Sequence, residues 1–242
     1  MSEQEKRAAI KKYFVKVPGW MWIVVVLAIS LSVILKDFSY LIPGIIIGLF
    51  IWLKLKGKPS DSDMDGFIAE DLQNAIAKSL IKTSIDNSEL VSESVIIHGP
   101  RLRGTGGAEF LFKRGKDNIL RFSPINVTVI NMTENQLVCY AASLDLTTGN
   151  FLNESTDEYF YKDVVSVSTQ TESMTVEIES TKEEMQLDSA EKFTLTTSGG
   201  TSIEVLLRAP KLIEYMGGGD IPTTVAEVAI QAIRKMLREK KV

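Results

Sequence analysis

The chain has one histidine and one cysteine in 242 residues. That scarcity removes most catalytic chemistry. Cys139 has no second thiol for an intrachain disulfide, so nothing calls for an oxidising compartment. One His and one Cys do not supply the usual ligand set of zinc. Cys139 falls beside Leu137 and Tyr140 in a strand pattern. A buried small residue is expected there rather than a nucleophile, which needs a base nearby. No GxxxxGK[ST] and no GxGxxG is present. No catalytic residue, cofactor or metal site is assigned, and the chain is not expected to be an enzyme.

Charge is missing from two early stretches. Trp20 to Leu35 carries none, and Leu41 to Leu55 carries only Lys54. Lys36-Asp37-Phe38-Ser39-Tyr40 separates them. Crossing roughly 30 Å of hydrocarbon takes about 20 helical residues. The runs reach that length, on the short side, when Val17, Pro18 and Gly19 join the first and Phe38 to Tyr40 the second. Tyr13, Trp20, Trp22, Phe38, Tyr40 and Trp52 sit at the edges, as in an interfacial belt. The pattern predicts a two-span transmembrane hairpin, with spans at about 18–35 and 40–55. Ala28-Ile29-Ser30 also fits a signal-peptide cleavage site, but the apolar run continues and a second span follows at once.

Lys6, Arg7, Lys11, Lys12 and Lys16 precede the first span, Lys54, Lys56 and Lys58 close the second, and the turn holds only Lys36. Positive-inside bias predicts an inner-membrane, multi-pass protein with both termini in the cytoplasm. Gly44 and Gly48 form a GxxxG, and Ala28 and Ser32 repeat the spacing in the first span. Small residues four apart let helices approach closely. They serve either packing within the hairpin or self-association between chains. Neither span centre is ionisable, which argues against an ion-coupled transporter.

Composition divides the chain into 1–58, the basic segment and hairpin; 59–121, a juxtamembrane helix and β-hairpin; and 122–242, a β domain with a C-terminal helix. Met64, Phe67, Ile68, Leu72, Ile76 and Leu80 predict one apolar face of a helix over about 63–83. Asp61-Ser62-Asp63-Met64-Asp65-Gly66 resembles the opening of a calcium loop, but Leu72 stands where a bidentate Glu is needed. An acidic helix start, capped by Ser62 or Asp63, is the better reading.

Beyond Glu93 the period becomes two. Strands are expected around Phe110–Lys113, Ile119–Phe122, Ile125–Met132, Gln136–Leu144, Glu158–Tyr161, Val164–Ser168, Met174–Ile178, Phe193–Thr197 and Ile203–Leu207. The polar residues 180–191 read as a mobile loop. Thr224-Val225-Ala226-Glu227 fits a capping box for an amphipathic helix to Lys240. That helix is expected to dock on the sheet, with membrane contact through its basic end as the alternative.

Residues 122–220 hold sixteen acids against five bases. This argues against nucleic acid or anionic headgroups along the bulk of the β domain. Arg101, Arg103, Lys113 and Arg114 flank Gly104-Thr105-Gly106-Gly107. They are the candidates for an anion or headgroup contact, although ordinary exposed hairpin charges explain them as well.

Asp157 to Ser168, DEYFYKDVVSVS, and the preceding MTENQLVCYAASLDLTTGNF resemble strand pairs of bacterial pleckstrin-homology-like and GRAM-like domains. The resemblance implies an antiparallel PH-like barrel or sandwich closed by the C-terminal helix, and binding or scaffolding rather than catalysis. It transfers no lipid-binding residues, because familiar members bind lipid through a basic mouth. The fold class expected is a membrane hairpin followed by an α+β cytoplasmic region. The expected function is a membrane-anchored cytoplasmic module recruiting a protein partner. The alternative is a homo-oligomeric membrane effector or channel-like assembly with a cytoplasmic sensor domain.

Overall fold

The structure, a computed structural model, describes residues 1–103, 105–178, 181–221 and 224–240, with only the backbone at Thr224, Val225, Ala226 and Ala229. The expected capping box at Thr224 rests on side chains outside that set, and Gly104 lies outside it too. The chain divides into two units, Met1–Met64 and Asp65–Val242.

In the first unit, α1 spans Glu3–Phe14, α2 Gly19–Leu35 and α3 Leu41–Leu55. Ser2 caps α1: its hydroxyl accepts from the Glu5 amide, and the Glu5 carboxylate accepts from the Ser2 amide. The chain breaks before Pro18, and α1 and α2 meet at 67°. A 3-10 turn, Phe38–Tyr40, capped by Asp37, leads directly into α3. Together Phe38–Leu55 is the described helix long and apolar enough to cross a membrane. The 17 residues of α2 meet that standard only as a bent pair with α1.

α2 and α3 touch where side chains are smallest. A Cβ on Gly44 would lie 2.8 Å from the Ala28 Cβ. Ala28 and Ser32 are buried on α2. The other sides of both helices are uncovered: Ile23, Val26, Val33, Ile34, Ile42 and Ile45 are each more than half exposed. Near the end of α3, Lys54 lies over the Phe50 ring and Lys56 over the Trp52 ring.

α4, Asp61–Thr83, begins earlier than expected, and Ser60 rather than Ser62 or Asp63 caps it. The Ser60 hydroxyl accepts from the Asp63 amide, and the Asp63 carboxylate accepts from the Ser60 amide. Asp61 accepts from the Tyr13 hydroxyl, and Asp65 pairs with Arg121. The carboxylates of the calcium-like stretch thus serve separate partners. No cluster of metal-ligating side chains occurs among the described residues.

The second unit carries three open antiparallel sheets. The first has the order β1 (Val95–Pro100), β4 (Ile125–Met132), β5 (Gln136–Asp145), β6 (Asn150–Phe160). The second is the hairpin β2 (Leu111–Arg114) and β3 (Leu120–Ser123). The third has the order β7 (Val164–Ile178), β8 (Glu183–Thr197), β9 (Ser202–Arg208). Because β1 pairs with β4, residues on both sides of position 122 share one sheet.

β4 is buried along nearly its whole length because both its faces are covered. On one face, Asn131 Nδ2 donates to Ser79 Oγ of α4 at 3.1 Å. On the other, Ile130, Met132, Leu137 and Cys139 meet Phe193, Leu195 and Val205 of the third sheet. Ile230 and Ile233 of α6 (Thr224–Lys240) join that core. The C-terminal helix therefore docks on the sheets, as expected. A short helix, α5 (Pro210–Tyr215), was not expected; Pro210 starts it.

Three ties hold α4 to the first two sheets. Arg121, 2 % exposed, binds Asp65 through Nε and Nη2, both at 2.7 Å. Asn131 meets Ser79 at mid-helix. Near the helix end, Lys78 and Lys82 pair with Glu154 of β6, which also accepts from the Tyr140 hydroxyl at 2.8 Å.

The third sheet corrects two expectations. Val164–Ser168 and Met174–Ile178 are parts of one strand, and residues 183–191 are strand rather than loop. Leu187 and Ala190 are fully buried, while Glu183, Glu184 and Asp188 are exposed. A bulge between Glu172 and Met174 shifts the register and conceals the alternation in the sequence.

Candidate binding groove

The cations singled out in the sequence stand at two places. Arg101 and Arg103 line a groove of about 240 Å3 with Asn126, Lys192 and Glu204. Arg101 Nη1 donates to Asn126 Oδ1 at 3.3 Å. Lys192 is answered by Glu172 at 2.6 Å and Glu204 at 3.2 Å. The hydrogen bond that Lys192 donates to Glu172 raises its pKa against the opposing effect of burial. Carboxylates are thus interleaved with these cations. Lys113 and Arg114 lie on β2, opposite Arg121 and Leu120 in register. The glycine loop has a packing role: a Cβ on Gly106, which has φ +63°, would fall 2.9 Å from Leu152 Cδ1. Gly48 has nothing within 4 Å of its own Cβ direction, in contrast to Gly44.

A different feature has the makings of a binding site. A groove of about 290 Å3 runs between the start of β7 and α6, lined by Val164, Val165, Ser166, Val167, Arg234, Leu237 and Arg238. It is positioned by a sharp corner. Tyr161 is buried, its hydroxyl donates to the Thr133 carbonyl at 2.8 Å, and burial pushes its pKa up to about 12. The Ser198 amide donates to the Asp163 carbonyl at 2.7 Å. β7 leaves this corner as an edge strand, paired among the described residues to β8 alone.

Val165 is the extra residue of a bulge, since Val164 opposes Thr197 and Ser166 opposes Thr196. It is 56 % exposed, turned out of the core by the bulge. Val164 to Thr171 carries no charge and no proline. Edge strands are usually guarded by such residues. β6, the edge of the first sheet, is guarded by Glu154, Asp157 and Glu158. The β7 edge has instead Arg234 above it, whose Nη2 lies 3.3 Å from Thr169 Oγ1. Arg238 follows one helical turn later.

This geometry suits an extended segment. Main-chain groups of β7 beyond Val164 can pair with it, Leu237 and Val165 offer apolar contact, and the two arginines favour acidic side chains. Sequence reading placed Val165 in a strand and Arg234 and Arg238 in the basic end of the C-terminal helix, but did not bring them together as a site. The signals available were the adjacent Val164-Val165 pair, which interrupts alternation, and arginines four apart beside the apolar helix face.

No known family matches the chain, and no curated protein or solved structure matches it.

Proposed function

We propose that this chain is a membrane-anchored binding module. A two-span hairpin holds it at the cytoplasmic face, and the second unit recruits a protein partner through the β7 edge. The single observation that carries the reading is the uncharged edge Val164–Thr171 lying beside Arg234 and Arg238. Strand addition supplies affinity through the main chain, and the arginines select an acidic segment. The uncovered Ile and Val side chains of α2 and α3 support the anchor, since water would bear that surface at high cost. A four-stranded and a three-stranded sheet sharing a core with a C-terminal helix support the pleckstrin-homology-like reading. The role is binding or scaffolding, with no reaction assigned.

The test is extraction of the full-length protein from its native cell in mild detergent, with mass and composition determined. A defined partner is expected, and Arg234→Glu with Arg238→Glu is expected to release it. A partner retained by that double variant moves the interface elsewhere. Absence of any partner removes the adaptor reading.

A second reading, a homo-oligomeric membrane effector, is favoured by Gly48. Its bare backbone surface on α3 is not used inside the hairpin. Under that reading Gly48→Leu disrupts assembly and leaves the Gly44–Ala28 contact untouched. Unchanged assembly would remove the support.

A further inference from the structure

We propose that the cavity beneath α4 binds a small, uncharged, largely apolar molecule bearing one hydroxyl group, which hydrogen-bonds His98. This site is separate from the β7 groove and does not depend on the adaptor reading.

The cavity has a volume of about 240 Å3. Ile68 and Leu72 of α4 form one wall, and Leu120, Phe122 and Ile125 form the other, with His98 of β1 between them. Two strand registers bring these residues together. His98 opposes Val127 across β1 and β4, and Phe122 opposes Phe112 across β2 and β3. Alternation on β1 turns Ile97 into the inter-sheet core, so His98 belongs to the other face, under α4.

The polar lining decides the ligand's charge. Asp65 and Arg121 stand at the cavity, and Arg121 already binds Asp65 and Asp117 at 2.6–2.7 Å. Asp65 and Arg121 already answer each other at the wall, so a charged head would have to compete with that pair, and an uncharged molecule leaves it intact. Burial pushes the His98 pKa below its ordinary value, which favours the neutral ring. Its Nδ1 is sealed away without a hydrogen-bond partner among the described residues. Nε2 is then the nitrogen left to serve a ligand, and a neutral imidazole pairs well with a hydroxyl.

Size follows from volume. A cavity of about 150 Å3 accommodates benzene, and drug-sized ligands start at about 300 Å3. The intermediate volume fits about ten non-hydrogen atoms. An apolar wall of this kind gains from burying such a molecule, and the lone histidine fixes its orientation.

The chain's single histidine makes the test clean, because its imidazole signals need no assignment. Full-length protein with isotope-labelled histidine, in lipid nanodiscs, is titrated with 4-ethylphenol, ethylbenzene and 4-ethylbenzoate. The expected result is a saturable shift of the His98 signals with 4-ethylphenol. Ethylbenzene binds about tenfold more weakly for want of the hydrogen bond, and 4-ethylbenzoate binds weakest. Ala69→Trp, at an exposed helix position on the cavity rim, abolishes the shift without unfolding the protein. His98→Phe brings 4-ethylphenol down to the affinity of ethylbenzene, read from isoleucine methyl signals. Three results would each overturn the proposal: no saturable shift with any probe, a shift that survives Ala69→Trp, or tightest binding by the carboxylate.

Discussion

Arg121 concentrates the electrostatics of the second unit in one residue. Its guanidinium is 2 % exposed, while Asp65 and Asp117 are 53 % and 38 % exposed. The two sides of the pair therefore respond differently to substitution. Arg121→Met leaves carboxylates that water can solvate, and the methionine stem refills the buried space. Asp65→Asn with Asp117→Asn removes both charges facing a cation that water cannot reach. The double variant is expected to lower the thermal midpoint more than Arg121→Met, as calorimetry would show. Equal losses would mean that the arginine acts mainly through packing. Hydrogen bonds from Arg121 and the Ile119 amide bring the Asp117 pKa down to about 2. Its stabilising contribution is complete above the unfolded carboxylate value of about 4 and is lost as pH falls from there toward about 2.

His98 has the same pH sign for a different cause. Burial depresses its pKa, so below about 6.5 the unfolded chain takes up a proton that the folded chain refuses. Stability therefore declines as pH falls from about 6.5 toward the depressed folded value, then levels off with respect to this group. Thermal unfolding of His98→Gln between pH 7 and 5 is expected to show a flatter dependence than the unaltered protein. An unchanged slope would mean that the folded ring takes up its proton as readily as the unfolded one. At Gly99 the issue is space: a Cβ would sit 2.7 Å from the Leu206 carbonyl oxygen, joining β1 to β9 closely. Backbone must move to admit it, so Gly99→Ala is expected to cost about 1–3 kcal/mol in chemical denaturation.

At the scale of elements, α4 presents a different line of residues from the one its apolar spacing suggests. Asp71, Ala75 and Ser79 are the most buried positions in its second and later turns, while Leu72, Ile76 and Leu80 are half-buried beside them. Small side chains occupy the line of closest approach to the sheet, where a large one would hold the helix away. Ala75→Leu is therefore expected to destabilise by about 1–3 kcal/mol through overpacking, and Leu80→Ala by less. Denaturant titration of both variants would check the order. Periodicity identified the helix correctly but not the centre of its contact face, because hydrophobicity does not report how near the sheet comes. The β7–β8 hairpin is the converse case. Its outer half looked like a polar loop because one face is acidic and a bulge interrupts the alternation. Reversing charge at Arg234 and Arg238 belongs to this scale as well. Neither arginine enters the core, so loss of partner binding is expected with the thermal midpoint nearly unchanged.

For the whole molecule, the strongest contrast is between the two glycines of α3. Gly44 is consumed by contact with Ala28, and Gly48 is not. Gly44→Leu should therefore disrupt the hairpin in each chain. On the homo-oligomeric reading, Gly48→Leu disrupts contacts between chains while sparing the hairpin, which light scattering in detergent would read. The same four-residue spacing puts one glycine in a helix contact and leaves the other open, and the motif alone does not separate them.

Much of this protein is written locally. The uncharged runs, the helical spacing after Asp61, the alternation from Ile125 to Leu144 and the C-terminal amphipathic pattern each depend on neighbours a few residues apart, so the sequence alone determined those elements. The poverty in histidine and cysteine likewise bounded the chemistry. Only the tertiary structure decided which sheet edge stays open, which face of α4 lies against β4, and where the cavity beside His98 forms. Those outcomes rest on pairs such as Arg121 with Asp65, 56 residues apart, and Asn131 with Ser79, 52 apart. Side-chain pattern sets what an element is, whereas contacts across the chain set what it is left to bind.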